Sequence, residues 1–191
     1  WAELRHKVAR YPIGKLANEV FGLPIGIGGR ILSEVEAMRC CDSSKVGWDT
    51  GWNQDMRGIN SVVIGVDWSV TASEKSFTVI SVLGYDFTGK CYLMHSERVN
   101  SVNILDQVKR VENIYRTFNA QAIGSDRGVG VLQCQLLQQS LGVDKIFPIN
   151  YVNAKIPIRF DGQGQYFAAD RTMNMDTVFM KMKIGPSKFQ C

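Results

Sequence analysis

Residues 62–67 read VVIGVD, an apolar run without polar alternation that stops on an aspartate. Val62, Val63, Ile64 and Val66 predict a strand covered on both faces, because a half-exposed strand would alternate apolar and polar positions. An ionised carboxylate beside so apolar a run is costly unless something pairs with it. A metal ion, a phosphate-binding turn or a helix cap would each account for Asp67.

The pattern around this run is regular. After the strand at 61–67 a second is expected at about 76–84. The turn YDFTGK follows, with Gly89 at a left-handed position, and a third strand covers about 90–98. These three form an antiparallel meander. Ile104, Val108, Val111, Tyr115 and Phe118 recur at helical spacing and predict an amphipathic helix over 102–119. AIGSD (122–126) is a short apolar strand ending in Asp126, and Val129, Leu132, Leu136 and Leu137 mark the next helix. KIFPINY (145–151) is another strand, and Met175, Val178, Phe179 and Met182 mark a last helix over about 171–183. The order β-β-β-α-β-α-β-loop-α implies an α/β fold: a meander extended by parallel strands through right-handed crossovers, with helices on the sheet faces.

Residues 1–60 differ. A short helical piece lies around Leu16–Phe21, and a Gly/Pro loop runs through Gly29. A second helix around Ser33–Cys41 opens on Ser33 and Glu36, the spacing of a capping box. The polar, Gly-rich DSSKVGWDTGWNQDMRGIN then reads as a linker. The expected organisation is a connector at 1–60 and an α/β domain at 61–191. Trp1 at the start, and GPSKFQC trailing the last helix, suggest a piece cut from a longer chain.

Composition narrows the function classes. A net charge of +4 is compatible with a nucleic-acid partner without demonstrating one. No apolar run approaches the roughly 18 residues of a membrane helix, and WAELRHKVARY lacks the apolar core of a signal peptide. The five cysteines include no C-x-x-C pair, and His6 and His95 are the only histidines. That argues against a zinc site or a disulfide framework and for reduced thiols in a cytoplasmic setting.

Asp67 and Asp126 each end a strand. In open α/β sheets ligands collect at the carboxyl ends of neighbouring strands. If the two strands are parallel neighbours, both carboxylates enter one crevice, where they repel unless a cation bridges them. Mg²⁺ or Mn²⁺ suits such hard oxygen ligands, completed by waters and substrate phosphate. Two such ions roughly 4 Å apart would support phosphodiester cleavage. The plainer alternative is capping. It fits Asp126, which precedes RGVGVLQ, better than Asp67, which precedes WSVTASEKS.

With these residues in place, the chain resembles the nuclease domain of the large terminase subunit of tailed bacteriophages. VIGVDWS is similar to the first metal-binding strand of that family and AIGSDRGVG to its second acidic strand end. ADRTMNMDTVFMKMKIG is similar to the segment after its fifth strand. LANEVFGLP and ILSEVEAMRCC resemble its connector between ATPase and nuclease domains. The likeness runs over about residues 15–185, and its specificity lies in the order and spacing of short motifs. It implies an RNase H-like fold and a metal-dependent endonuclease, using Mg²⁺ or Mn²⁺ on Asp67 and Asp126 to cut concatemeric double-stranded DNA. It also implies a ring-shaped motor with portal protein and small terminase subunit as partners, in the cytoplasm of an infected bacterial host. The family carries a third acid on a later helix, expected beyond residue 191. Asp170 reads instead as the N-cap of the last helix and Asp176 as solvated surface. Weak or absent cutting is therefore expected of this chain, and Mn²⁺-dependent nicking of a form extended at the C-terminus. A Walker loop G-x-x-x-x-G-K-[ST] is absent, and PIGIGGR reads as a plain loop.

Further residues are placed to meet DNA. Arg127 follows Asp126 and is a phosphate contact or a surface arginine. Lys155 and Arg159 lie in NAKIPIRFDGQGQ, read as a loop that could face a duplex backbone. Lys181 and Lys183 suit the end of a helix. Trp68 and His95 read as packed structural residues. Two other classes remain open: a non-enzymatic packaging module that binds DNA or a partner, and an actin- or sugar-kinase-type nucleotide fold, for which DWSVTAS is a superficial match.

Overall fold

The computed structural model describes residues 33–40, 58–69 and 77–184. Its centre is a seven-stranded mixed sheet. The first three strands are β1 (Ile59–Asp67), β2 (Thr78–Asp86) and β3 (Cys91–Val99), followed by helix α2 (Ile104–Thr117) and β4 (Ala122–Asp126). Helix α3 (Val131–Leu141) leads to β5 (Ile146–Val152), then β6 (Ile158–Asp161), β7 (Tyr166–Asp170) and helix α4 (Arg171–Ile184). Helix α1 (Glu34–Met38) precedes them all. The sheet order is β3-β2-β1-β4-β5-β7-β6. Pairs β1–β2, β2–β3 and β6–β7 are antiparallel, whereas β1–β4, β4–β5 and β5–β7 are parallel. The fold is the α/β mixed sheet expected of an RNase H-like arrangement, with the meander on one side and crossover strands on the other.

Local chemistry explains the punctuation. Gly89 takes φ 79° in the β2–β3 turn, a conformation that costs glycine little. There the Asp86 carboxylate accepts from Thr88 N and Lys90 N, each at 2.9 Å. Asn103 caps α2, its side chain accepting from Leu105 N at 2.9 Å. Ser33 and Glu36 form the expected capping box of α1. That helix meets α4, where the Cys40 thiol donates to the Met182 carbonyl at 3.4 Å.

Val62, Ile64 and Val66 of β1 are buried with Ile80, Val82 and Ile123, against Val108, Val111 and Ile114 of α2 and Leu137 of α3. The expectation that β1 is covered on both faces is corrected: Val63 and Gly65, on the other face, are only partly buried. Both expected crossover helices pack on the same face as the core, so β1 carries its apolar residues there at full burial and elsewhere at partial burial.

The stretch after β5 also departs from expectation. NAKIPIRFDGQGQ is not one long loop: it contains β6, and β7 follows directly. The Asp161 carboxylate accepts from Gln163 N and Gly164 N at 3.1 and 2.9 Å, closing a tight turn that pairs Asp161 with Tyr166. Among the described residues no helix is long and apolar enough to cross a membrane. The expected helix at Leu16–Phe21, PIGIGGR and the linker up to residue 57 lie outside the described residues, and the linker's last residues, Ile59 and Asn60, belong to β1.

Candidate functional site

β1 and β4 run parallel in the register Val63–Ala122 to Val66–Ser125. One residue further on, Asp67 and Asp126 therefore end side by side at the carboxyl edge of the sheet. Parallel neighbours in register share a face, so both carboxylates project on the side of Gly65 and Gly124. Neither glycine carries a side chain, which leaves a low backbone floor behind the acids.

The electrostatics bear out this closeness. Partial desolvation raises the Asp67 pKa above its ordinary value; the Asp126 charge raises it further, and Arg171 opposes both. Asp126 is hooked by its own turn, Oδ1 accepting from Gly128 N at 3.0 Å. It does not cap α3: the N-cap is Gly130, which makes no side-chain bond. The capping alternative for Asp126, a bond to the turn or helix that follows, is thus met in its turn form and not as a helix cap. Residues 70–76, which would show whether Asp67 closes a turn, lie outside the described residues.

A buried polar tie holds the two strand ends at their spacing. Trp68 follows Asp67, Ser125 precedes Asp126, and the Trp68 Nε1–H donates to Ser125 Oγ at 2.7 Å. Ser125 Oγ and Cys134 Sγ lie 3.1 Å apart behind this bond, and burial pushes the Cys134 thiol up. Gly130 is required here, since a Cβ would collide with the Trp68 ring and the Asp126 carbonyl. Trp68 is 4% exposed, the packed residue its sequence context suggested.

Two residues missed in the sequence complete the edge. Asp126 is in register with Ile149 and Ile149 with Phe167. Tyr151, two residues after Ile149, therefore shares the face of the acids. Arg171 lies two residues after Ala169, the register partner of Tyr151. Its guanidinium carbon lies 6.0 Å from the centre of the Tyr151 ring. The Tyr151 phenol is pushed up by partial desolvation, then by the charges of Asp126 and Asp67. The signal was available for Tyr151, at the carboxyl end of an expected strand, but not for Arg171, which follows the unexpected β7.

The anticipated basic residues gather elsewhere. Arg127 sits one position after Asp126, so it turns to the opposite face, where its guanidinium stacks 4.6 Å from the Tyr166 ring centre. Tyr166 lines an open groove of about 410 Å³ with Val152, Lys155, Arg159 and Ala168. Arg159 belongs to β6 and pairs with Ala168, which corrects its placement in a loop. Lys155 and Arg159 thus line one groove and Arg127 stacks on its Tyr166 wall, across the sheet from the carboxylates.

Asp170 is the N-cap it was expected to be. Its carboxylate accepts from Met173 N and Ala154 N, each at 2.8 Å, and these backbone donors hold its pKa below the ordinary range. Asp176 lies within α4, and Lys181 and Lys183 occupy its last turn. His95 is structural: its Nε2 meets Glu97 at 3.0 Å, and Glu97 is clasped by Arg110. Among the described residues no group of three or more His, Cys, Asp or Glu side chains could hold a metal ion. No protein-family model matches the chain, and no curated protein matches it.

Proposed function

We propose that the chain is a metal-dependent endonuclease module of the terminase type, acting on double-stranded DNA. The observation that carries this reading is the placement of Asp67 and Asp126 at adjacent parallel strand ends, on one face. The donor set fits Mg²⁺ or Mn²⁺: two hard oxygen ligands, with the Asp67 pKa raised first by desolvation and then by the Asp126 charge, a repulsion that a cation would relieve. When bound, such ions would polarise the phosphodiester and activate water. The chain's own part is to set the two carboxylates on neighbouring strand ends and to fix their spacing through Trp68 and Ser125. A third acidic ligand, which the resemblance assigns to a later helix, is not among the described residues.

Supercoiled-plasmid nicking tests the reading, with Mn²⁺, Mg²⁺ or EDTA and with Asp67→Ala and Asp126→Ala. Metal-dependent nicking that either substitution abolishes supports it. Nicking that survives EDTA or Asp67→Ala contradicts it. A second reading draws on the basic groove of Arg127, Lys155 and Arg159, which lies away from the acids: a module that binds the duplex without cutting. Duplex binding with no nicking, in this chain and in a C-terminally extended form, would favour that account.

A further inference from the structure

The acid pair has a cationic neighbour that neither the strand-end motifs nor the basic groove uses. Arg171 is the first residue of α4, and the Asp170 carboxylate fixes the start of that helix through Met173 N. The same carboxylate bonds Ala154 N, just beyond β5, so the ends of β5 and β7 are held together. Tyr151 rises from β5 on the face of the acids and offers its ring to the Arg171 guanidinium. Both side chains are exposed. An arginine laid against an aromatic ring has lost part of its rotamer freedom, while its fork of N–H donors stays available to a phosphate.

Arg171 lies against Tyr151, whose face of the sheet carries Asp67 and Asp126. Lys155, Arg159 and Arg127 are grouped around Tyr166 on the other face. Arg171 is therefore a cation at the carboxyl edge placed to meet a phosphate lying over the carboxylates; Arg98, on the same face, lies two strands from Asp67.

We propose that Arg171, steadied by the Tyr151 ring, is a phosphate-gripping residue of the acid-pair site and its resident counter-charge until a cation and a nucleic-acid phosphate arrive. The inference rests on the endonuclease reading and deepens it by naming the residue that takes the phosphodiester. It requires opposite effects on two ligands. A positive charge near the carboxylates weakens cation binding, so Arg171→Gln tightens Mn²⁺ affinity by about 3-fold. Losing a charge-assisted contact weakens binding of a labelled 20-base-pair duplex by about 10-fold. Arg171→Lys retains the point charge without the fork and falls between.

The test is Mn²⁺ titration calorimetry together with duplex binding by fluorescence anisotropy across a salt series. The expected result is tighter Mn²⁺, weaker duplex, and a salt slope about 1 unit shallower in Arg171→Gln, since one phosphate contact is gone. A misfolded but DNA-competent variant would not change metal and duplex affinity in opposite directions. If Arg171→Gln fails to fold, Tyr151→Leu removes the platform and carries the same expectation for the duplex, while Tyr151→Phe keeps it. Unchanged duplex affinity and slope in Arg171→Gln, with Mn²⁺ still bound through Asp67, overturns the phosphate grip and leaves the endonuclease reading standing. Absence of Asp67-dependent Mn²⁺ binding in the unsubstituted chain overturns both.

Discussion

Replacing Asp67 by Asn should stabilise the metal-free protein. Two ionised carboxylates stand on adjacent parallel strands, whose backbones are about 4.8 Å apart. Unit charges about 5 Å apart repel by about 0.8 kcal/mol in water and more where the dielectric is lower. Asp67 is exposed at the sheet edge, so solvent screening keeps the cost near the lower figure, and Arg171 offsets part of it. A relief of about 0.5–1 kcal/mol corresponds to a rise in Tm of about 1–4 °C for a protein of this size. The sign with pH follows from the raised Asp67 pKa. Below the unfolded value of about 3.9 the group is neutral in both states and the penalty is absent. As pH rises through the elevated folded-state pKa the folded protein loses stability, and the penalty is complete above it. The advantage of Asp67→Asn is therefore present at pH 7 and gone at pH 3. Mn²⁺ should reverse the ranking, since at ten times Kd a bound ion adds about 1.4 kcal/mol to the unsubstituted protein alone. Scanning fluorimetry at pH 3 and 7, with EDTA or Mn²⁺, measures all four conditions. A variant no more stable than its parent in EDTA at pH 7, or raised equally by Mn²⁺, refutes the reasoning.

The buried tie behind the acids predicts that Ser125→Ala, which strands the Trp68 indole N–H, costs about 1–3 kcal/mol in chemical denaturation. It should also weaken Mn²⁺ binding, because the strand ends lose their fixed spacing. Gly130→Ala forces a methyl against the Trp68 ring and the Asp126 carbonyl. Overpacking of that kind costs about 1–3 kcal/mol, read as a lower denaturation midpoint with unchanged slope. Asp170→Asn should lower Tm at pH 7. The depressed Asp170 pKa means its contribution is complete above the unfolded value of about 3.9 and is lost as pH falls through the folded-state pKa. The gap between parent and variant should therefore close in acid, as a Tm series from pH 7 downward would show.

Strand and helix order was legible where hydrophobic period was clean. AIGSD gave β4 at its observed limits, and the helical stripe placed Val108, Val111 and Phe118 in the core but passed over Ile114. The hairpin of β6 and β7 was not legible, because Pro157, Gly162 and Gly164 punctuate two strands of only four and five residues. Its clue was Asp161-Gly162 between apolar pairs, a turn signal inside what looked like a loop. The acid pair could be anticipated from strand ends alone. Of its neighbours, Tyr151 stood at the carboxyl end of an expected strand, whereas Arg171 begins the helix after β7, whose place beside β5 depends on the unseen hairpin. The side on which Arg127 falls depends on alternation at a strand end, which sequence proximity to Asp126 obscures. Full burial of both faces of β1 was the wrong inference from Val63 and Gly65, since an apolar or small residue need not be covered to be compatible with a strand.

The most direct test of the acid pair as a cation site is Mn²⁺ binding followed by electron paramagnetic resonance. The chain is titrated beside Asp67→Asn and Asp126→Asn, each confirmed folded by circular dichroism. The account predicts that free Mn²⁺ signal is lost on adding the parent chain, and that each substitution largely restores it. Binding that persists in both variants, or no binding by the folded parent at millimolar Mn²⁺, would contradict it.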